Sequence, residues 1–86
     1  MISIVVPTLN EAAIIKDTIS QVKKSGRDTL VEIIVADGGS RDATMEIASS
    51  CGAKVIGATG GRACQMNAGA KVAVGDVLLF LHADTR

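Results

Sequence analysis

Aromatic residues are almost missing from this chain: Phe80 is the only one, with no Trp and no Tyr. A single-stranded nucleic acid would find no stacking platform here. An excess of either charge is missing too, since nine Lys and Arg balance nine Asp and Glu. Without a basic surplus to displace counterions from a phosphate backbone, nucleic acid is excluded as a partner. Cys51 and Cys64 lack CxxC spacing, and a single histidine, His82, follows them. A structural zinc site takes three or four ligands, so the thiols are expected to be structural, one buried near a helix end and the other on a helix. No disulfide framework is implied, which fits a reducing compartment. The chain opens on a strand-like run rather than a basic segment and an apolar h-region, so no signal peptide is expected. The longest apolar run, Val77 to Leu81, is far too short to span a bilayer. The expected location is cytoplasmic, with peripheral membrane contact left open to a longer, full-length form.

What is present is hydrophobic and periodic. The chain of 86 residues is 48% hydrophobic, enough for one small domain. Four apolar runs, Ile2–Val6, Val31–Ala36, Ala53–Ile56 and Val77–Leu81, do not alternate with polar residues, as befits strands buried on both faces. Three amphipathic stretches separate them. The first, Glu11–Lys24, places Ile14, Ile15, Ile19 and Val22 at helical spacing behind Asn10 as N-cap. The second, Asp42–Cys51, turns Ala43, Ile47 and Ala48 inward, with Ser40 or Asp42 as cap. The third, Arg62–Val74, ends at Gly75 as a C′ residue and turns Ala63, Met66, Ala70 and Ala73 inward.

The β-α-β-α-β-α-β order predicts an α/β fold built on a parallel sheet. The alternation leaves other strand orders open; if the third crossover returns past strand 1 the order is 3-2-1-4, and right-handed crossovers then put the first two helices on one face and the third on the other. Ligands of such sheets bind outside the carboxyl ends at the switch point between strands 1 and 4. Three polar loops meet there: Pro7–Glu11, Asp37–Ser40 and His82–Asp84.

Each loop has a plain reading and a functional one. "VVPTLNEA" makes a strand-to-helix turn, and its rigid backbone can also grip the edge of a base. "VADGGSRDAT" places Asp37 at a strand end before two glycines that allow a sharp turn or a close ligand approach. "GATGGRACQMNAG" is either a flexible loop before a packed helix or an anion site at a helix N-terminus, with Arg62 beside it. It matches neither GxxxxGK[ST] nor a GxGxxG placed after the first strand. In "LHADT", Asp84, with or without His82, offers oxygen and imidazole ligands to a divalent ion. His82 could equally be a strand-end histidine bonded to backbone.

Together these segments resemble the family 2 glycosyltransferases, inverting enzymes with the GT-A fold, over essentially residues 1–86. The likeness is to the family's nucleotide-sugar-binding N-terminal half, and implies that Pro7, Thr8 and Glu11 line a base pocket. It puts Asp37 on the first acid of a pair that contacts the base, while Gly38 replaces the second. Arg62 stands where a basic residue approaches the diphosphate. Asp84 matches the last, metal-contacting Asp of the family's DxD motif, and His82 replaces the first. The resemblance implies a nucleotide-diphospho-sugar donor, UDP-linked, with Mn2+ or Mg2+, direct displacement at the anomeric carbon, and an acceptor the sequence does not name. An acceptor-binding half carrying the general base would follow Arg86, so the expectation is a fragment inactive by itself. The competing reading is a catalytically inactive, self-associating nucleotide-binding module. In either case strand 4, apolar and unpaired on one side, predicts a homo-oligomer through its edge or face. Nucleotidyl transfer is weaker, because the Gly-rich, Arg-containing loop it needs after strand 1 is missing.

Overall fold

The computed structural model describes residues 1–25 and 30–81. The elements run β1 (Ile2–Thr8), α1 (Ala12–Ser25), β2 (Val31–Asp37), α2 (Thr44–Ser50), β3 (Lys54–Gly57), α3 (Arg62–Val72) and β4 (Val77–Phe80). Every pairing is parallel, in one four-stranded sheet of order β3-β2-β1-β4, as the alternation predicts. Ile15, Ile19 and Val22 of α1 and Ala48 of α2 pack on Val6, Ile33 and Val35 of the sheet. On the other face Val5, Ile34 and Ala36 form a smaller cluster with Ala73, just past α3. Each fully buried Ile contributes about 1.5–3 kcal/mol relative to exposure, and the larger of the two apolar clusters lies on the α1 side. Among the described residues no helix is long and apolar enough to cross a membrane.

Strand β1 runs two residues past its expected end, through Pro7. The Leu81 amide donates to the Val5 carbonyl and the Gly38 amide to the Thr8 carbonyl, so odd positions of β1 face β4 and even ones face β2. The nitrogen of Pro7 therefore points to the β4 side, beyond the last paired residue there, and its missing N–H removes no bond to β2.

Three local expectations are corrected. In α2, Ala43 is exposed and Thr44 is buried in its place, because the helix starts two residues later than its composition suggests. In α3 the buried residues are Gln65 and Gly69, one side-chain row away from Ala63, Met66 and Ala70. Gly69 sets this rotation: a Cβ there would collide with Val5, with Cγ2 only 2.9 Å away. Gly75 is not a left-handed cap, since the helix ends at Val72 with an extended Ala73. It is small because a Cβ would stand 2.7 Å from the Met1 carbonyl and 2.8 Å from the Ser3 amide.

A polar cluster pins that turn to the amino ends of the strands. The Ser3 hydroxyl donates to Glu32 (2.7 Å) and accepts from the Gly75 amide (2.8 Å), while the Val74 amide donates to the same carboxylate (3.0 Å). The Val74 amide first, and then the Ser3 hydroxyl, hold the Glu32 carboxyl below its usual range.

Candidate functional site

At the carboxyl edge of the sheet, Thr8 and Asp37 are register partners on β1 and β2. Asp37 is 1% exposed. Its carboxylate accepts from the Thr8 hydroxyl (2.8 Å), the Ser40 hydroxyl (2.6 Å), the Ser40 amide (2.7 Å) and the Gly39 amide (3.0 Å). Burial by itself would push this acid up, but the four donors, led by Ser40, outweigh it and hold the group below its ordinary value. Gly39, at φ +105°, turns the chain so that both amides face one oxygen. The side chain expected to meet a base is thus occupied with its own loop.

The same loop finishes the start of α1. The Asn10 amide donates to the Ser40 hydroxyl (2.8 Å), the Glu11 amide to the Thr44 hydroxyl (2.8 Å) and the Ala12 amide to Asp42 (3.1 Å). Asn10 is not the N-cap. It sits at φ 53° and its side-chain oxygen accepts from the Arg41 amide, 2.7 Å away. Asp42 also accepts from the Thr44 hydroxyl and amide, so one carboxylate serves two helix starts. The Thr44 hydroxyl is foremost in lowering its pKa. At the far end of α2 the Lys23 ammonium donates to the Cys51 carbonyl, satisfying a C-terminal acceptor. Cys51 is half-buried there, and Cys64 is exposed on α3.

Beside this knot lies a cleft of about 210 Å³, lined by Pro7, Thr8, Leu9, Glu11, Gly61, Arg62 and Gln65. It brings together four residues singled out from sequence: Pro7, Thr8, Glu11 and Arg62. Asp37 is not among its lining residues. Helix α3 begins here behind Gly61, at φ 102°, with no side-chain cap. Among the described residues no side chain meets its first amides, and Arg62 is exposed beside them. A helix N-terminus with a guanidinium alongside suits a phosphate group.

Sequence reasoning missed Gln65, whose Nε2 donates to the carbonyls of Thr8 and Ala36, each 2.8 Å away. The available signal was the i, i+4, i+8 row of Gln65, Gly69 and Ala73. His82 and Asp84, the expected metal ligands, lie outside the described residues. Among the described residues no three His, Cys, Asp or Glu side chains converge on one point.

Comparison with known proteins gives this edge a family. Residues 3–86 match the family described as glycosyl transferase family 2, and the chain belongs to it. A PGL/p-HBAD biosynthesis glycosyltransferase of Mycobacterium tuberculosis (strain H37Ra) is 35% identical over 91 residues, covering 98% of this chain and 35% of that protein. Glucosyl-3-phosphoglycerate synthase from Mycobacterium tuberculosis, solved with Mn2+, UDP and glucosyl-3-phosphoglycerate, superposes with a TM-score of 0.85 at 32% identity. That superposition covers 98% of this chain and 33% of the other. Mannosyl-3-phosphoglycerate synthase from Rubrobacter xylanophilus gives 0.89 at 28% identity, over all of this chain and 31% of that one. The chain therefore spans about a third of the length of the relatives it matches.

Proposed function

We propose that the cleft receives the nucleotide of a nucleotide-diphospho-sugar, UDP-linked, as the donor side of a glycosyltransferase. The observation that carries this reading is the convergence of Pro7, Thr8, Glu11 and Arg62 on one cleft at the open start of α3. A solved neighbour that holds UDP with Mn2+ and membership of the family support it. In this reading Thr8 and Pro7 form the wall against the base, while Arg62 and the first amides of α3 draw in the diphosphate. Transfer would break the bond from the anomeric carbon to the diphosphate oxygen and form one to an acceptor hydroxyl, whose proton passes to a base.

The residues proposed for the metal are Asp84 and His82, a hard oxygen and an imidazole two positions apart, a donor pair that suits Mn2+. A bound ion would supply charge stabilisation to the departing diphosphate. Calorimetric titration of UDP in Mn2+, repeated in EDTA and with Asp84→Ala, tests the reading. Binding that needs both the metal and Asp84 is expected. Equal binding in EDTA would remove the metal from the site.

A second reading, association between copies, is favoured by β4, where Val77, Leu78, Leu79 and Phe80 are 49%, 39%, 48% and 47% exposed. Among the described residues the strand is an edge of the sheet with one side unpaired, and the same edge of a second copy offers the matching donors, acceptors and apolar side chains. Sedimentation equilibrium should show a dimer that Phe80→Lys dissociates. A monomer at all concentrations would refute the association.

A further inference from the structure

The bonds of Gln65 fix more than the helix. Both atoms facing its amide nitrogen, the carbonyl oxygens of Thr8 and Ala36 at 2.8 Å, can only accept. The amide therefore cannot be turned over, and the atom left for other partners is Oε1. Among the described residues no donor reaches that oxygen. The side chain is only 7% exposed and lines the cleft, yet Oε1 is not among the buried atoms that lack a partner, so this oxygen opens onto the cleft. Gly38, which stands where the family pattern has its second acid, gives the amide its room. A Cβ there would lie 3.2 Å from both Cδ and Nε2 of Gln65, tighter than most side-chain contacts.

We propose that Gln65 is a specificity-determining residue whose Oε1 accepts a hydrogen bond from the nucleoside part of the bound nucleotide. This rests on the nucleotide reading of the cleft. The assignment to the nucleoside follows from polarity. An ionised diphosphate offers acceptors only, so it pairs with the donors of the cleft, Arg62 and the first amides of α3. A base or ribose carries N–H or O–H donors, and Gln65 presents the acceptor they need. The clamp on Thr8 and Ala36 holds that acceptor at a fixed height above the ends of β1 and β2. Ligand and strand ends are thereby read by one side chain.

The test compares UDP with inorganic pyrophosphate, titrated in Mg2+ buffer into the unaltered chain, Gln65→Met and Arg62→Ala. Loss of one buried hydrogen bond should weaken UDP by about tenfold in Gln65→Met and leave pyrophosphate within about twofold. Arg62→Ala should weaken both ligands together. Because Gln65→Met also removes the clamp, a second readout uses the unaltered protein. Gln21 and Gln65 are its only glutamines, so the side-chain NH2 resonances of Gln65 are readily assigned. They should shift on adding UDP and stay in place on adding pyrophosphate. Equal losses for both ligands in Gln65→Met, or Gln65 resonances indifferent to UDP, would overturn the role of Gln65 while leaving the cleft a nucleotide site. Failure of the unaltered chain to bind either ligand would overturn the cleft reading and this one with it.

Discussion

Helices α1 and α3 both begin at the carboxyl edge of the sheet, yet their first turns are finished in opposite ways. At α1 the amides of Asn10, Glu11 and Ala12 are each met by a side chain from the β2–α2 loop or the first residue of α2, and the buried Asp37 holds that loop in place. At α3 no side chain among the described residues caps the start, Gly61 precedes it, and a cleft lies in front. One helix start spends its donors on the fold and the other, in the proposed reading, keeps them for a ligand. A stable knot beside an open terminus is how one sheet edge can be both rigid and receptive.

The contrast can be broken most forcefully at Asp37. Asp37→Ala would leave two hydroxyls and two amides without their acceptor, a loss of about 3 kcal/mol or more, which a lowered urea midpoint would report. The same carboxylate predicts an acid limb. Its folded value lies below the ordinary 3.8, so its stabilisation is complete above that value and is lost as pH falls through the folded one. Asp37→Asn should be less stable at neutral pH but show a flatter loss of stability below about pH 4. A limb as steep as that of the unaltered chain would assign acid sensitivity to other groups.

Next in size is Gly69→Ala, which would force α3 away from Val5 and cost about 1–3 kcal/mol. It should also shift the cleft, because Gln65 lies one turn earlier on the same row. Thermal melting combined with UDP titration would show both effects, and an unchanged melting temperature would mean that α3 sits more loosely on the sheet than described. The smallest expected stability change sharpens the contrast instead. Arg62→Ala, at the uncapped start, should alter stability by no more than about 0.5 kcal/mol. A clear drop in its melting temperature would mean that the start of α3 serves the fold as well.

Much of the fold was legible because the β-α-β alternation and the runs of Ile and Val leave few arrangements that pair every strand in one parallel sheet. Loop position brought Pro7, Thr8 and Glu11 to one edge, and the family resemblance added Arg62. The rotation of α3 was not legible. Its residues are small all round, so hydrophobic periodicity carries little information, and the deciding contact is the missing Cβ of Gly69 against Val5. Nor were the partners of Asp37, because nothing in the spacing of Thr8, Gly39 and Ser40 announces that their donors converge on one carboxylate. Asn10 was misread for a related reason: its residue type favours a cap, but its left-handed backbone turns the side chain to the Arg41 amide.

The strand order also governs how this polypeptide assembles in time. Strand β1 is made first and is flanked in the finished sheet by β2 on one side and β4 on the other. The ends that close the second pairing, Met1 and Asp76, are 75 positions apart. During synthesis the inner side of β1 can zip to β2 early, while its other side waits for almost the whole described chain. Loop closure over that span must precede the gain from β1–β4 contacts, a source of slow folding and of exposure to mispairing. A chaperone meeting the nascent chain would find β1 waiting, half paired, until β4 emerges.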